Sequence, residues 1–193
     1  APANEPTIYT GGALVKENGR VALDYQGSQS LYSSSVSVAA SMDVYHTTKK
    51  DTTTRQAWFA FDASSNTNYM RQESASEQIV FQFTEGLGFA ALGNSPESNR
   101  LTYNLYNANA TTGAQEVRLN GVSLYTDTDT YTATGISGLY LGVQNNGAND
   151  FDGKYQEFII YDSVKSSTNR TSIEENIGDY FTQNTPLLDT YSG

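Results

Sequence analysis

The chain has 193 residues, with 11 Lys+Arg against 21 Asp+Glu for a net charge of −10, and it contains no cysteine. Clustered Lys/Arg, which counterion-release binding to nucleic acid requires, is missing beyond the single pair Lys49-Lys50. A disulfide framework and thiolate chemistry are excluded, and no run approaches the ~18 apolar residues of a membrane helix, so neither nucleic acid nor membrane insertion is expected.

The length suits one large β-sandwich domain. Residues 1–20 read as an extended N-terminal segment and 21–193 as the sandwich. Pro2 and Pro6 disfavour helix at the start, where no charged-then-apolar leader pattern is found, as expected of a mature or internal start. Gly11-Gly12 marks a turn and Asn18-Gly19 is a tight-turn pair. Arg20–Tyr25 follows as a strand with Val21, Leu23 and Tyr25 on one face. Polar Ser33-Ser34-Ser35 leads to a weakly patterned strand within 36–46. Gln56–Phe61 is a strand whose alternation puts Phe59 and Phe61 on one face, Trp58 and Ala60 on the other. The run 62–68 is turn-forming.

Alternation recurs in Glu77–Phe83 and in Leu101–Tyr106. Asn120-Gly121 predicts a hairpin between strands within 117–124, and Leu139–Val143 is a further strand. Phe158-Ile159-Ile160-Tyr161 is apolar on both faces, as in a strand covered on both sides. One helix is predicted near 168–182. Thr171-Ser-Ile-Glu174 fits a capping box, and Ile173, Ile177, Tyr180 and Phe181 form an apolar stripe ending before Pro186.

The closing pattern is Gly138-Leu-Tyr-Leu-Gly142, Phe151-Asp-Gly153, Tyr155–Asp162 and a helix ending Ile177-Gly-Asp-Tyr-Phe181. With the Asn120-Gly121 hairpin and Val21–Gly27, it resembles the concanavalin-A-like lectins and laminin-G-like modules. Gln26 stands where their opening strand usually has Asp. The resemblance, spanning roughly residues 7–181, implies an all-β, two-sheet antiparallel jelly-roll sandwich with one short C-terminal helix. The segment 4–20 is also similar to domains of phage tail and virion surface proteins, which are in turn similar to an arabinofuranosidase-type sandwich.

Catalytic constellations are sparse. His46 is the sole histidine, and nothing near it resembles a nucleophile elbow. Sandwich glucanases carry a Glu-x-Asp-x-x-Glu cluster, absent here. Glu73 with Glu77, and Glu157 alone, are the nearest carboxylates to the paired acids of a glycosidase. Glu157 matches a structural Glu of the resembled family, an edge-facing hydrogen-bond acceptor.

Asn145-Asn-Gly-Ala-Asn149-Asp150-Phe-Asp152 gathers the hard oxygens that calcium prefers. Asn145, Asn149, Asp150 and Asp152 are therefore the candidate metal ligands. Sugar binding uses aromatic faces and hydrogen-bonding forks. Trp58, Tyr103, Tyr140 and Arg71 are the foremost candidates, drawn from a pool that includes Tyr69, Tyr106, Tyr125, Arg55 and Arg100. The expected role is a non-catalytic module binding a surface glycan or polysaccharide on a phage or bacterial surface, extracellular or on a virion. The alternatives are a structural virion domain contacting other subunits, and an arabinofuranosidase-type glycoside hydrolase.

Overall fold

The computed structural model describes residues 5–38, 41–52, 54–61, 68–72, 78–83, 91–94, 104–111, 114–128, 136–144 and 147–181. Most of the turn expected at 62–68, together with Tyr103 and Asn145, lies outside them.

Four short strands come first: β1 (Tyr9–Thr10), β2 (Ala13–Leu14), β3 (Lys16–Glu17) and β4 (Arg20–Val21). They form two hairpins whose tight turns fall at Gly11-Gly12 and Asn18-Gly19, all four residues with positive φ. Then come β5 (Leu23–Gln26), β6 (Leu31–Val38), β7 (Met42–Lys50), β8 (Gln56–Phe61), β9 (Asn68–Gln72) and β10 (Gln78–Phe83). The remainder are β11 (Ala91–Asn94), β12 (Asn104–Thr111), β13 (Ala114–Leu119), β14 (Val122–Asp127), β15 (Ile136–Leu141), β16 (Asp152–Tyr161) and the helix α1 (Ser167–Phe181). The predicted strand at 20–25 is broken at Ala22, whose N–H bonds the Val15 carbonyl at 3.0 Å, so β4 pairs with β3 while β5 pairs with β16. Among the described residues no helix is long and apolar enough to cross a membrane.

Two six-stranded antiparallel sheets make the sandwich, as predicted. The front sheet runs β11-β10-β9-β8-β15-β6 and the back sheet β14-β13-β12-β7-β16-β5. Between them lies a core that includes Tyr25, Met42, Phe59, Phe61, Phe151 and Tyr155. Two glycines let the chain cross this core closely. A Cβ on Gly142 (φ 81°) would sit 2.3 Å from the Tyr25 ring, and one on Gly153 (φ 153°) would sit 2.1 Å from the Lys49 carbonyl oxygen.

Strands β7 and β16 are covered on both faces. Met42, Val44, Phe158 and Ile160 pack inward, while Tyr45, Ile159 and Tyr161 pack outward beneath Ile173, Ile177 and Phe181 of α1. The helix begins earlier than the expected box. Ser166 caps it, its Oγ accepting from Asn169 N–H at 3.3 Å, which leaves Thr171 inside the helix. Glu174 is drawn instead to Arg118, whose Nε donates to it at 2.9 Å. Tyr180, expected on the apolar stripe, is exposed.

Candidate functional site

The outer face of the front sheet carries a row of aromatic side chains set by register. Leu139 and Leu141 pack into the core, so Tyr140 between them points outward. Its partners across the sheet are Tyr32 on β6 and Ala60 on β8, and Ala60 in turn pairs with Tyr69 on β9. The Tyr32 and Tyr140 rings lie 4.4 Å apart at 32°, and Tyr32 is 52% exposed. Ala60 between Tyr140 and Tyr69 is small, and so is Ala57 opposite Arg71. Both alanines are wholly buried.

A polar corner adjoins the row. The Arg71 guanidinium lies 4.6 Å from the Tyr69 ring centroid, and its Nη1 donates to Gln144 Oε1 at 3.3 Å. The side-chain amide of Asn149 donates to the same oxygen. The described residues of 142–151 are held by backbone hydrogen bonds. Gln144 N–H bonds the Ala148 carbonyl at 3.0 Å, Phe151 N–H bonds that of Gly142 at 2.8 Å, and Ala57 N–H bonds that of Asn149 at 2.7 Å. Tyr32 and the half-buried Tyr140 offer ring surface for the C–H side of a sugar, while Tyr69, Arg71 and Gln144 are buried and brace the row.

Of the predicted glycan residues, Tyr140 and Arg71 are brought to this face, and Tyr69 from the wider pool joins them. Trp58 is not. It is wholly buried in the core with Phe59 and Phe61, which corrects its expected role as a stacking platform. The cause is a β-bulge: the register of β8 against β9 steps between Ala57 and Phe59, so Trp58 and Phe59 both turn inward and simple alternation fails. Tyr125 packs against the same core. Tyr32 and Gln144 were not singled out by sequence. Their role depends on β6 and segment 142–151 meeting β15 and β9, a long-range pairing without a local signal.

His46 is a core residue. Its Nε2 lies 3.4 Å from the Met70 sulfur among the Trp58, Phe59 and Tyr155 rings, and burial drives its pKa down to about 3. Glu157, expected as a hydrogen-bond acceptor, accepts no hydrogen bond among the described residues and is half-buried.

Beside the acidic loop, a lysine is held between two aspartates from other segments. Lys154 Nζ contacts Asp24 Oδ1 at 2.5 Å and Asp51 Oδ2 at 3.1 Å. Burial raises the Asp150 carboxyl, and burial followed by the neighbouring Asp51 raises that of Asp152. Asn149 commits its amide to Gln144. Among the described residues no group of three or more Asp, Glu or His is arranged to hold a metal ion. The asparagine and backbone oxygens that calcium also takes fall outside that grouping, and calcium at this loop stays a proposal.

No protein-family model matches the chain, nor does any curated protein. Solved structures do. Domain 4 of AbnA, a GH43 extracellular arabinanase from Geobacillus stearothermophilus in complex with arabinotriose, is similar at TM-score 0.65 and 16% identity over 89% of this chain and 86% of that one. The Ruminococcus gnavus IT-sialidase CBM40 bound to α2,3-sialyllactose is similar at TM-score 0.52 and 15% identity, over 71% and 84% of the two chains. A SAP-like pentraxin from Limulus polyphemus gives TM-score 0.54 and 12% identity over 83% and 84%. At such identities the likeness is one of fold: the chain is a two-sheet antiparallel sandwich of the concanavalin-A-like kind, an architecture shared with carbohydrate-binding and glycosidase-related domains.

Proposed function

We propose that the chain is a non-catalytic glycan-binding module whose binding face is the outer surface of the front sheet, displayed outside the cell on a bacterial or virion surface and used in adhesion. The observation that carries this reading is the Tyr32–Tyr140 pair, stacked at 4.4 Å and open to solvent, beside the hydrogen-bonded corner of Arg71, Gln144 and Asn149. A tyrosine pair held by register offers a pre-formed apolar platform, so little ordering entropy is lost on binding. The buried Gln144 oxygen, accepting from Arg71 and Asn149, braces the sheet beside that pair. Structures of similar fold in complex with arabinotriose and with α2,3-sialyllactose support saccharide as the ligand class.

The test is calorimetric titration with neutral and sialylated oligosaccharides, on the unaltered chain and on Tyr140→Ala. Stacking on an aromatic ring is worth roughly 1–3 kcal/mol in the nearest measured analogue, bases on aromatic side chains, so Tyr140→Ala is expected to weaken binding about tenfold. Binding that survives Tyr140→Ala unchanged rejects this face.

A further inference from the structure

On the outer side of the back sheet, the helix does not close the whole surface. Where α1 ends, hairpin β3–β4 and the edge of β16 frame a cleft of about 460 Å³, within the ~300–1,000 Å³ range of small-ligand sites. The register of β16 against β7 steps between Tyr155 and Glu157, and this bulge lets the successive residues Gln156 and Glu157 both line the cleft. Gln156 is spent on holding the hairpin, its Nε2 lying 2.9 Å from the Glu17 carbonyl oxygen and 3.1 Å from that of Arg20.

Glu157 is left to face the space. It has no hydrogen-bond or ion-pair partner among the described residues, and burial holds its carboxyl above the usual range. The side chain of Lys16, which also lines the cleft, has none there either. Arg20 is engaged with Tyr180, donating from Nε to its carbonyl at 3.1 Å and lying 4.2 Å from its ring centroid, while Tyr180 stays 52% exposed. Leu14 and Val21 add exposed apolar surface.

We propose that this cleft is a second ligand site, distinct from the Tyr32–Tyr140 face, for a neutral polyhydroxylated ligand such as a saccharide. Glu157 accepts from its hydroxyls, Lys16 donates to them, and Tyr180 with Val21 meets its C–H face. The charge pattern selects this class. A cationic ligand satisfies Glu157 but meets Lys16 and Arg20, and an anionic one satisfies Lys16 but meets Glu157. A hydroxyl both donates and accepts, and so answers both without net charge. With sites on opposite outer faces, one domain holds two segments of a polymer at once, and its avidity rises accordingly.

Amide-resolved NMR titration of the whole chain tests this. The probes are neutral trisaccharides (arabinotriose, cellotriose, maltotriose), with glucosamine and glucuronate as charged controls. Amides of Gly19, Arg20, Gln156 and Glu157 report the cleft, and those of Tyr32 and Tyr140 report the front face, so the two sites succeed or fail separately. At least one neutral probe is expected to shift the cleft amides saturably. Glu157→Gln should then weaken binding there about tenfold, as for loss of a hydrogen bond to a charged group, and leave the front face unaffected. Lys16→Ala, on an exposed side chain and safe for folding, should weaken the cleft about threefold. The proposal is overturned if no neutral probe moves the cleft amides, if only a charged control does, or if both variants bind there as the unaltered chain does. Cleft shifts that appear on concentrating the protein without sugar, and not with sugar, would also overturn it by marking a protein contact.

Discussion

Outward from β7 and β16 of the back sheet point Tyr45, Ile159 and Tyr161, and α1 covers them with Ile173, Ile177 and Phe181. From β6 and β15 of the front sheet point Tyr32 and Tyr140, which stack on each other and keep water on one side. The covered row sits beneath a helix held by ion pairs, Arg118 to Glu174 at 2.9 Å and Arg170 to Glu116 at 2.7 Å. The open row needs no cover because a tyrosine ring carries its own polar tip. The helix covers much of one outer face, while on the proposed reading the other is kept for contact. Substitutions should divide accordingly.

The largest effect is expected in the core that both sheets share. Trp58→Ala removes a wholly buried indole and should cost about 3–5 kcal/mol in chemical unfolding, lowering sugar affinity only as far as it unfolds the chain. A well-folded Trp58→Ala protein that has lost binding would place the platform at Trp58 after all. Next is the covered face. Glu174→Ala removes one of the two carboxylates that a largely buried guanidinium pairs with and should cost about 1–2 kcal/mol, with oligosaccharide affinity unchanged. A loss of affinity would show that the two faces are coupled.

Two carboxyls sharpen the contrast through pH. For Glu116, burial alone would raise the pKa, but hydrogen bonds from Ser123 and Arg118 and the charges of Arg170 and Arg118 outweigh it and lower it. Its stabilisation is therefore present above the ordinary value and lost as pH falls through the folded one. For Glu157, burial raises the pKa, so its contribution is present below the ordinary value and lost as pH rises through the folded one. Glu116→Gln should thus lower Tm at neutral pH and Glu157→Gln should raise it slightly, the Glu157 difference fading below the ordinary carboxyl range and the Glu116 difference persisting to lower pH. Opposite signs would mean that the two environments have been misassigned.

The smallest effect concerns calcium, which remains a proposal for the loop holding Asn145, Asn149, Asp150 and Asp152. Calcium bound by the native loop should raise Tm, and a chelator should lower it. A rise of several degrees, reversed by chelator and blunted in Asp152→Asn, would establish the ion there.

What could be read from sequence follows the range of the interaction. Asn18-Gly19 and Asn120-Gly121 specify their turns locally, and the structure gives both pairs positive φ. The double cover of 158–161 was written in four successive apolar residues. The helix was legible but its start was not, because Ser166 competes with Thr171 as cap and Glu174 has a better partner in Arg118. At the site, residue type pointed to Tyr140 and Arg71. Trp58 and Glu157 were misread for one reason: each follows or occupies a bulge, where a strand loses its alternation. No local pattern marks such a step, since it arises from how neighbouring strands fit. Tyr32 needed its partner strand to be known.

The most direct test of the account is oligosaccharide binding by Tyr32→Ala, measured beside its thermal unfolding. Tyr32 lies on the edge strand of the front sheet and is 52% exposed, so its removal should leave Tm nearly unchanged. If the open tyrosine row is the binding face, affinity falls about tenfold with the fold intact. Unchanged affinity in a folded Tyr32→Ala protein would contradict the assignment of the front sheet as the side that meets glycan.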